Sequence, residues 1–300
     1  MAADKISRLE VQGARNVAIT AIEAMETLAR ETRAKRKNEF LQELLEAKVV
    51  LFRSRATEPF MRNAVRWIIS DVQRSDVRRV KELVQVTLSA SEAFLKAIEA
   101  SKEKIARIGS RRITDGSVIL THCHSSTVTN MLKKAQEAGK SFEVFCTETR
   151  PRYQGRVTAR EMLKLGLKTT LIVDSAVRFV MNGIDLVIVG ADAITSEGNV
   201  INKIGTSMIA LVAHESRTPF YVVSELLKFD PLTMYGDYEK IEERPCGEVW
   251  RSPLKDLVIR NPAFDITRRD FIHGIICEEG IISPHSIVEV VRRKYDWVFE

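Results

Sequence analysis

Cys123 lies between His122 and His124 and is followed by Ser125 and Ser126. A cysteine in an apolar run is either a small buried hydrophobe or a functional thiol. Here the hydroxyls stand at the mouth of a helical segment, where exposed amides can acidify a thiol and hold phosphate. Gly190-Ala191-Asp192 closes another apolar run; the aspartate is either a turn cap or part of a ligand site that glycine lets come close to the backbone. Asn202-Lys203, before Gly205 and Thr206, brings an amide and an ammonium suited to clamping phosphate and hydroxyls. Lys228 follows a further run, and each lysine taken alone also reads as a surface charge. Glu148-Thr149-Arg150, Asp174-Ser175 and Ser224-Glu225 complete a set containing a base, hydroxyls, an arginine and carboxylates. His122, Cys123 and His124 cannot easily serve one metal, because successive strand residues point to opposite faces.

Most of these groups share one feature: they end a short β-branched run. The runs are SVILTHC, FEVFCTE, TTLIVDS, IDLVIVGAD and TPFYVVSE, and helical segments over 127–138, 158–165 and 207–215 follow several of them. Such alternation predicts a parallel sheet wrapped on both faces, with ligands bound outside the carboxyl ends of the strands. FIHGIICEEGII adds one more strand before a final helix over 286–294. Upstream, apolar residues recur at helical spacing over 16–33, 39–53, 59–73 and 75–107, and Asp115-Gly116 marks a turn. The expected organisation is α/β: a helical N-terminal subdomain over 1–112, then a Rossmann-like parallel sheet flanked by helices over 113–300.

Composition narrows the function classes. The 300 residues are 45% hydrophobic and 29% charged, as in ordinary globular enzymes. No apolar run approaches the roughly 18 residues of a membrane span, and the N-terminus carries no secretory h-region. Cys123, Cys146, Cys246 and Cys277 are too scattered for a disulfide or metal pattern, so a cytoplasmic location is expected. The net charge of +6 could attract nucleic acid, but the basic residues share their helices with acids, as in DVQRSDVRRVKE, and no aromatic-interleaved basic stretch appears. Solvated helix faces and a phosphorylated metabolite account for the charge better.

The motifs VILTHCHS, TETRPRYQGRVTARE, DLVIVGADAI, NVINKIGT and PFYVVSELLKFDP occur in this order over nearly the whole chain. With them the sequence resembles the superfamily that unites ribose-1,5-bisphosphate isomerase, methylthioribose-1-phosphate isomerase and the alpha/beta/delta regulatory subunits of the initiation-factor guanine-nucleotide exchange factor. Catalytic members carry the cysteine and aspartate found here as Cys123 and Asp192, whereas the regulatory subunits commonly lack the pair. Lys228 and the polar THCHSS loop resemble the ribose-1,5-bisphosphate isomerase branch. That resemblance implies conversion of ribose 1,5-bisphosphate to ribulose 1,5-bisphosphate through a phosphoenolate, a step of nucleotide salvage needing no metal or organic cofactor. It implies Cys123 as the base and Asp192 as the acid, the latter kept protonated by a dry pocket. Substrate contacts are implied at Gln12, Gly13, Ala14, Arg15, Arg55, His124, Ser125, Ser126, Arg150, Gln154, Gly155, Asn202, Lys203 and Lys228. Gln12 stands where such isomerases have arginine, so Arg15 or Arg55 would supply the missing charge. The family also implies a homodimer or a homohexamer of dimers. The alternatives are the methylthioribose enzyme and a non-catalytic regulator that binds initiation factor 2.

Overall fold

Apolar residues at helical spacing produce five helices in the N-terminal third: α1 (Ala2–Ser7), α2 (Ala14–Arg30), α3 (Lys37–Ser54), α4 (Pro59–Arg74) and α5 (Val80–Ser110). In α2, Val17, Ala18, Ala21, Ile22, Met25 and Ala29 make one buried stripe. Pro59 opens α4, where its missing N–H costs nothing. The helix expected from residue 75 begins at Val80, because Ser75 ends α4 in extended backbone. The computed structural model describes residues 2–8, 10–11, 13–55, 57–236, 241–252 and 254–299.

The remainder runs β1 (Val118–Thr121), α6 (Ser126–Glu137), β2 (Glu143–Thr147), α7 (Gly155–Lys164), β3 (Lys168–Ile172), α8 (Val177–Val180), β4 (Leu186–Val189), β5 (Ala193–Ile194), β6 (Val200–Lys203), α9 (Thr206–Glu215) and β7 (Phe220–Val223). It closes with β8 (Phe264–Thr267), β9 (Gly274–Cys277), β10 (Gly280–Ile282) and α10 (Ile287–Lys294). The main sheet has the order β10-β9-β7-β4-β1-β2-β3 and is parallel except for β10. FIHGIICEEGII therefore forms an antiparallel hairpin, β9–β10, rather than the single strand expected. A second sheet, β5-β6-β8, is antiparallel and was not anticipated. Its strands have two to four residues, too few to establish a period.

Alternation along the strands sends side chains to two cores. Val187, Val189, Phe220 and Val222 join Ile22, Phe60, Phe94 and the rest of the helical third on one face. Leu186, Ile188, Tyr221 and Val223 pack with Val128, Met131, Leu132 and Met162 on the other. A parallel sheet needs both faces covered, and here the N-terminal helices supply much of one cover. Asn63 of α4 fixes this docking: its buried Nδ2 donates to Leu227 O at 2.8 Å and to Phe229 O at 2.9 Å. No helix among the described residues is long and apolar enough to cross a membrane.

Candidate active site

From β1 the chain moves outward through β2 to β3, then returns to β4 and proceeds the opposite way through β7 to β9. The reversal lies between β1 and β4, where open α/β sheets leave a crevice outside the strand ends. A cavity of about 230 Å³ opens there. Cys123 follows β1, Asp192 follows β4, Lys228 follows β7, and Asn202 and Lys203 end β6; all four loops line it. Gly13, Ala14 and Arg15 at the start of α2 and Arg55 at the end of α3 close it from the helical side. His124, Ser125, Ser126 and Gln154 are in its wall as well.

Two implied contacts, Arg150 and Gly155, stand elsewhere. Gln12 lies outside the described residues. Arg150 is exposed beyond the cavity: its guanidinium donates to Tyr153 Oη at 2.5 Å and Val249 O at 3.2 Å. Gly155 is a packing glycine, because a Cβ there would come within 1.7 Å of Thr147 O. The other strand-end acids serve the scaffold. Asp174 accepts the Thr149 and Arg150 amides at 2.8 and 2.7 Å, and Glu148 pairs with Arg156.

Cys123 is not a strand residue. β1 stops at Thr121, and Cys123 adopts a left-handed backbone with φ 66°. Its N–H donates to Thr149 Oγ1 at 2.9 Å, and its carbonyl accepts from Thr158 Oγ1 at 2.8 Å. His122 turns into the protein, with Nε2 2.8 Å from Ile204 O and Nδ1 2.6 Å from Thr147 Oγ1. A carbonyl can only accept, so Nε2 carries the proton and Nδ1 accepts from the hydroxyl. Burial holds this imidazole below its usual pKa, which favours that neutral form.

Burial pushes the Cys123 thiol up to about 11, against the lowering effect of Lys203. The acidified thiol expected at a helix N-terminus is thus corrected: desolvation outweighs the amides of α6. Asn202 and Lys203 line the cavity, but the helix terminus that follows them is not open to a ligand. Asp265 fills it, accepting from Gly205 N at 2.8 Å and Ser207 N at 3.1 Å. Burial raises Asp265 to about 6, despite those two amides. The N-terminus of α6 remains directed at the cavity through Ser125, Ser126 and Thr127.

Among the described residues, the lining contains the cations Arg15, Arg55, Lys203, Lys228 and Arg244 against the carboxylate of Asp192. Lys228 Nζ is fixed by Ala191 O at 2.8 Å and Glu225 Oε2 at 3.3 Å. Burial opposes charge on Glu225, but Lys228 and hydrogen bonds hold it below the usual carboxylate range. Lys203 Nζ lies 4.8 Å above the Phe264 ring, and Arg15 pairs with Glu99. Arg244 was missed by sequence reasoning, since RPCGE resembles any charged loop; the fold brings it beside Glu242 at 3.1 Å. Of the two threonines that seat Cys123, Thr149 belongs to the expected strand-end set, whereas Thr158 was missed.

Gly190 lines the cavity and also packs tightly against the β1 loop. A Cβ there would lie 2.7 Å from Ser125 Oγ and 2.8 Å from its Cβ, so the β1 and β4 loops meet through this glycine. Gly190→Ala is expected to cost about 1–3 kcal/mol by overpacking. Urea unfolding measures it; an unchanged midpoint would show that the two loops separate freely.

The Initiation factor 2 subunit family matches residues 10–284. A Methanocaldococcus jannaschii protein named ribose 1,5-bisphosphate isomerase is 40% identical, over 98% of this chain and 94% of its own length. An Archaeoglobus fulgidus protein of the same name is 41% identical, over 98% and 92%. The crystal structure of the Pyrococcus horikoshii translation initiation factor eIF-2B superposes with a TM-score of 0.82 at 32% identity, over 94% of this chain and 96% of that one.

Proposed function

The chain belongs to the Initiation factor 2 subunit family, and we propose that within it this protein is a ribose-1,5-bisphosphate isomerase, an aldose–ketose isomerase forming ribulose 1,5-bisphosphate. The observation that carries this reading is the placing of Cys123 and Asp192 on adjacent strand ends, within a cavity lined by five cationic side chains among the described residues. Two phosphates need such a lining, and a pentose between them would be held against the pair.

In a sugar 1-phosphate the ring cannot open to a free aldehyde, because C1 keeps its phosphate oxygen. The C2 proton must leave while the bond between C1 and the ring oxygen breaks. The C2–H electrons form a C1–C2 double bond, and the ring oxygen takes the electrons of its bond to C1 together with a proton. The resulting enol phosphate loses its C2 hydroxyl proton and gains one at C1, giving the 2-ketose. One base and one acid suffice. The thiol of Cys123 is protonated at rest, as its raised pKa requires. Cys123 must give that proton up before it takes the one on C2, and Asp192 supplies the proton for the ring oxygen. Lys203 stabilises the thiolate as it forms.

Arg55, Ser125, Ser126, Lys203 and Lys228 are assigned to the phosphates, with the amides of α6 on one of them. Incubating the purified protein with ribose 1,5-bisphosphate and measuring ribulose 1,5-bisphosphate tests the reading. A non-catalytic regulator would form none.

Lys228 is assigned to selectivity for two phosphates. Truncating it alone would strand buried Glu225, so the informative variant is Lys228→Met with Glu225→Gln. Affinity for the bisphosphate is expected to fall about 10- to 100-fold, with that for ribose 1-phosphate nearly unchanged, as for loss of a charge-assisted hydrogen bond. Calorimetry showing equal losses for both ligands would remove Lys228 from this role.

The protein is further assigned to the cytoplasm as a homo-oligomer. Its four cysteines are free thiols, and Phe179 of α8 is 90% exposed, with Val173 before α8 and Leu211 of α9 exposed as well, apolar side chains that a second subunit would cover.

A further inference from the structure

Glu58, the residue before α4, is completely buried behind the cavity wall, yet neither of its carboxyl oxygens has a hydrogen-bond partner among the described residues. Its close cation is Arg55, with Nη1 3.0 Å from Glu58 Oε1. That guanidinium lines the cavity and is itself short of partners: Nε and Nη1 make no hydrogen bond among the described residues. Arg55 is also shared, with Nε 3.6 Å from Glu242 Oε2. Glu242 has a second cation in Arg244 at 3.1 Å, whereas Lys228, the other cation facing Glu58, is held by Glu225 and Ala191 O. The groups that act on Glu58 are thus Arg55 after α3, Asp192 after β4, Lys228 after β7 and Glu242.

We propose that Glu58 is a positioning residue that takes up a proton when a phosphate binds at Arg55, releasing the guanidinium from its ion pair to close on the ligand. The inference rests on the isomerase reading of the cavity. A phosphate competes for Arg55 and adds negative charge to the same wall. An ionised Glu58 would then be buried without a cation, which is costly enough that the group neutralises instead. The empty site is already close to this point. Burial raises Glu58 to about 7 against the pull of Arg55, with Asp192 raising it further. A bound dianion shifts it in the same direction. Binding therefore takes up a proton only above about pH 7, and affinity weakens as pH rises there, by up to about tenfold per unit. Below that pH Glu58 already holds its proton.

Mixing protein with ribulose 1,5-bisphosphate at pH 8, in weak buffer with an indicator dye, reads the uptake directly. Isomerisation itself neither consumes nor releases protons, so turnover does not disturb the measurement. Wild type is expected to take up nearly one proton per chain. Glu58→Gln is expected to bind with almost no uptake and with a dissociation constant nearly flat from pH 7 to 9. Uptake that persists in Glu58→Gln, or that disappears in Asp192→Asn while Glu58→Gln keeps it, overturns the assignment. Should Glu58→Gln fail to fold, a wild-type affinity that is flat over the same pH range overturns it equally. Turnover or binding without uptake sinks this inference alone; absence of both turnover and binding sinks the isomerase reading and this inference with it.

Discussion

Cys123→Ser is expected to lower kcat by about a thousandfold, near 4 kcal/mol of barrier, while fold and bisphosphate affinity persist. Serine preserves the size of the side chain and the left-handed backbone held by Thr149 and Thr158, but a hydroxyl gives up its proton far less readily than a thiol. Retention of more than about a tenth of wild-type kcat would exclude Cys123 as the base. The pH profile adds a sharper measurement. With the thiol at about 11, a base that lost its proton to solvent would make the rate climb about tenfold per unit from pH 7 to 10. A rate that stays flat over this range would refute a thiol that loses its proton to solvent.

Asp192→Asn is expected to depress kcat by about two orders of magnitude or more, with substrate affinity little changed. Asparagine keeps the shape and can donate a hydrogen bond, but cannot deliver a proton to the ring oxygen. A turn-capping role gives the opposite result: asparagine caps nearly as well, so activity and melting temperature would both survive. The Asp192 amide, which donates to Ile201 O at 2.9 Å, is untouched by the substitution and keeps β5 against β6. Steady-state kinetics and a thermal melt of this one variant separate the two roles. Full activity with unchanged stability would withdraw the acid assignment.

Much of this arrangement could be read along the chain because it is local. Runs such as DLVIVG are β-branched and apolar because a parallel strand buried on both faces must be, and the residues that follow them necessarily arrive at one sheet edge. Cys123 and Asp192 were found in that way, Lys228 just beyond one such run, Lys203 from its place before Gly205 and Thr206, and the helical third from its 3.6-residue period. The same pattern could not say which polar strand-end residues face the ligand. Arg150 has the right position after β2 yet is bound to Tyr153 and Val249, while Arg244, in a loop without periodicity, lines the cavity. Nor could it foresee that Asp265, about 60 residues downstream, occupies the helix terminus beside Lys203.

Protonation was the least legible property. Residue type gives a thiol and a carboxylate their ordinary pKa values; only the surroundings shift them. Cys123 is moved by burial, with Lys203, Asp192 and Asp174 acting across β6, β4 and β3. Glu58 is moved by burial and by groups from four separate segments. The sequence alone determined which chemical groups reach the strand ends, since strand period and turn residues are local. Tertiary structure decided their charge, since desolvation and Coulomb interactions depend on distances that are set only when remote segments pack.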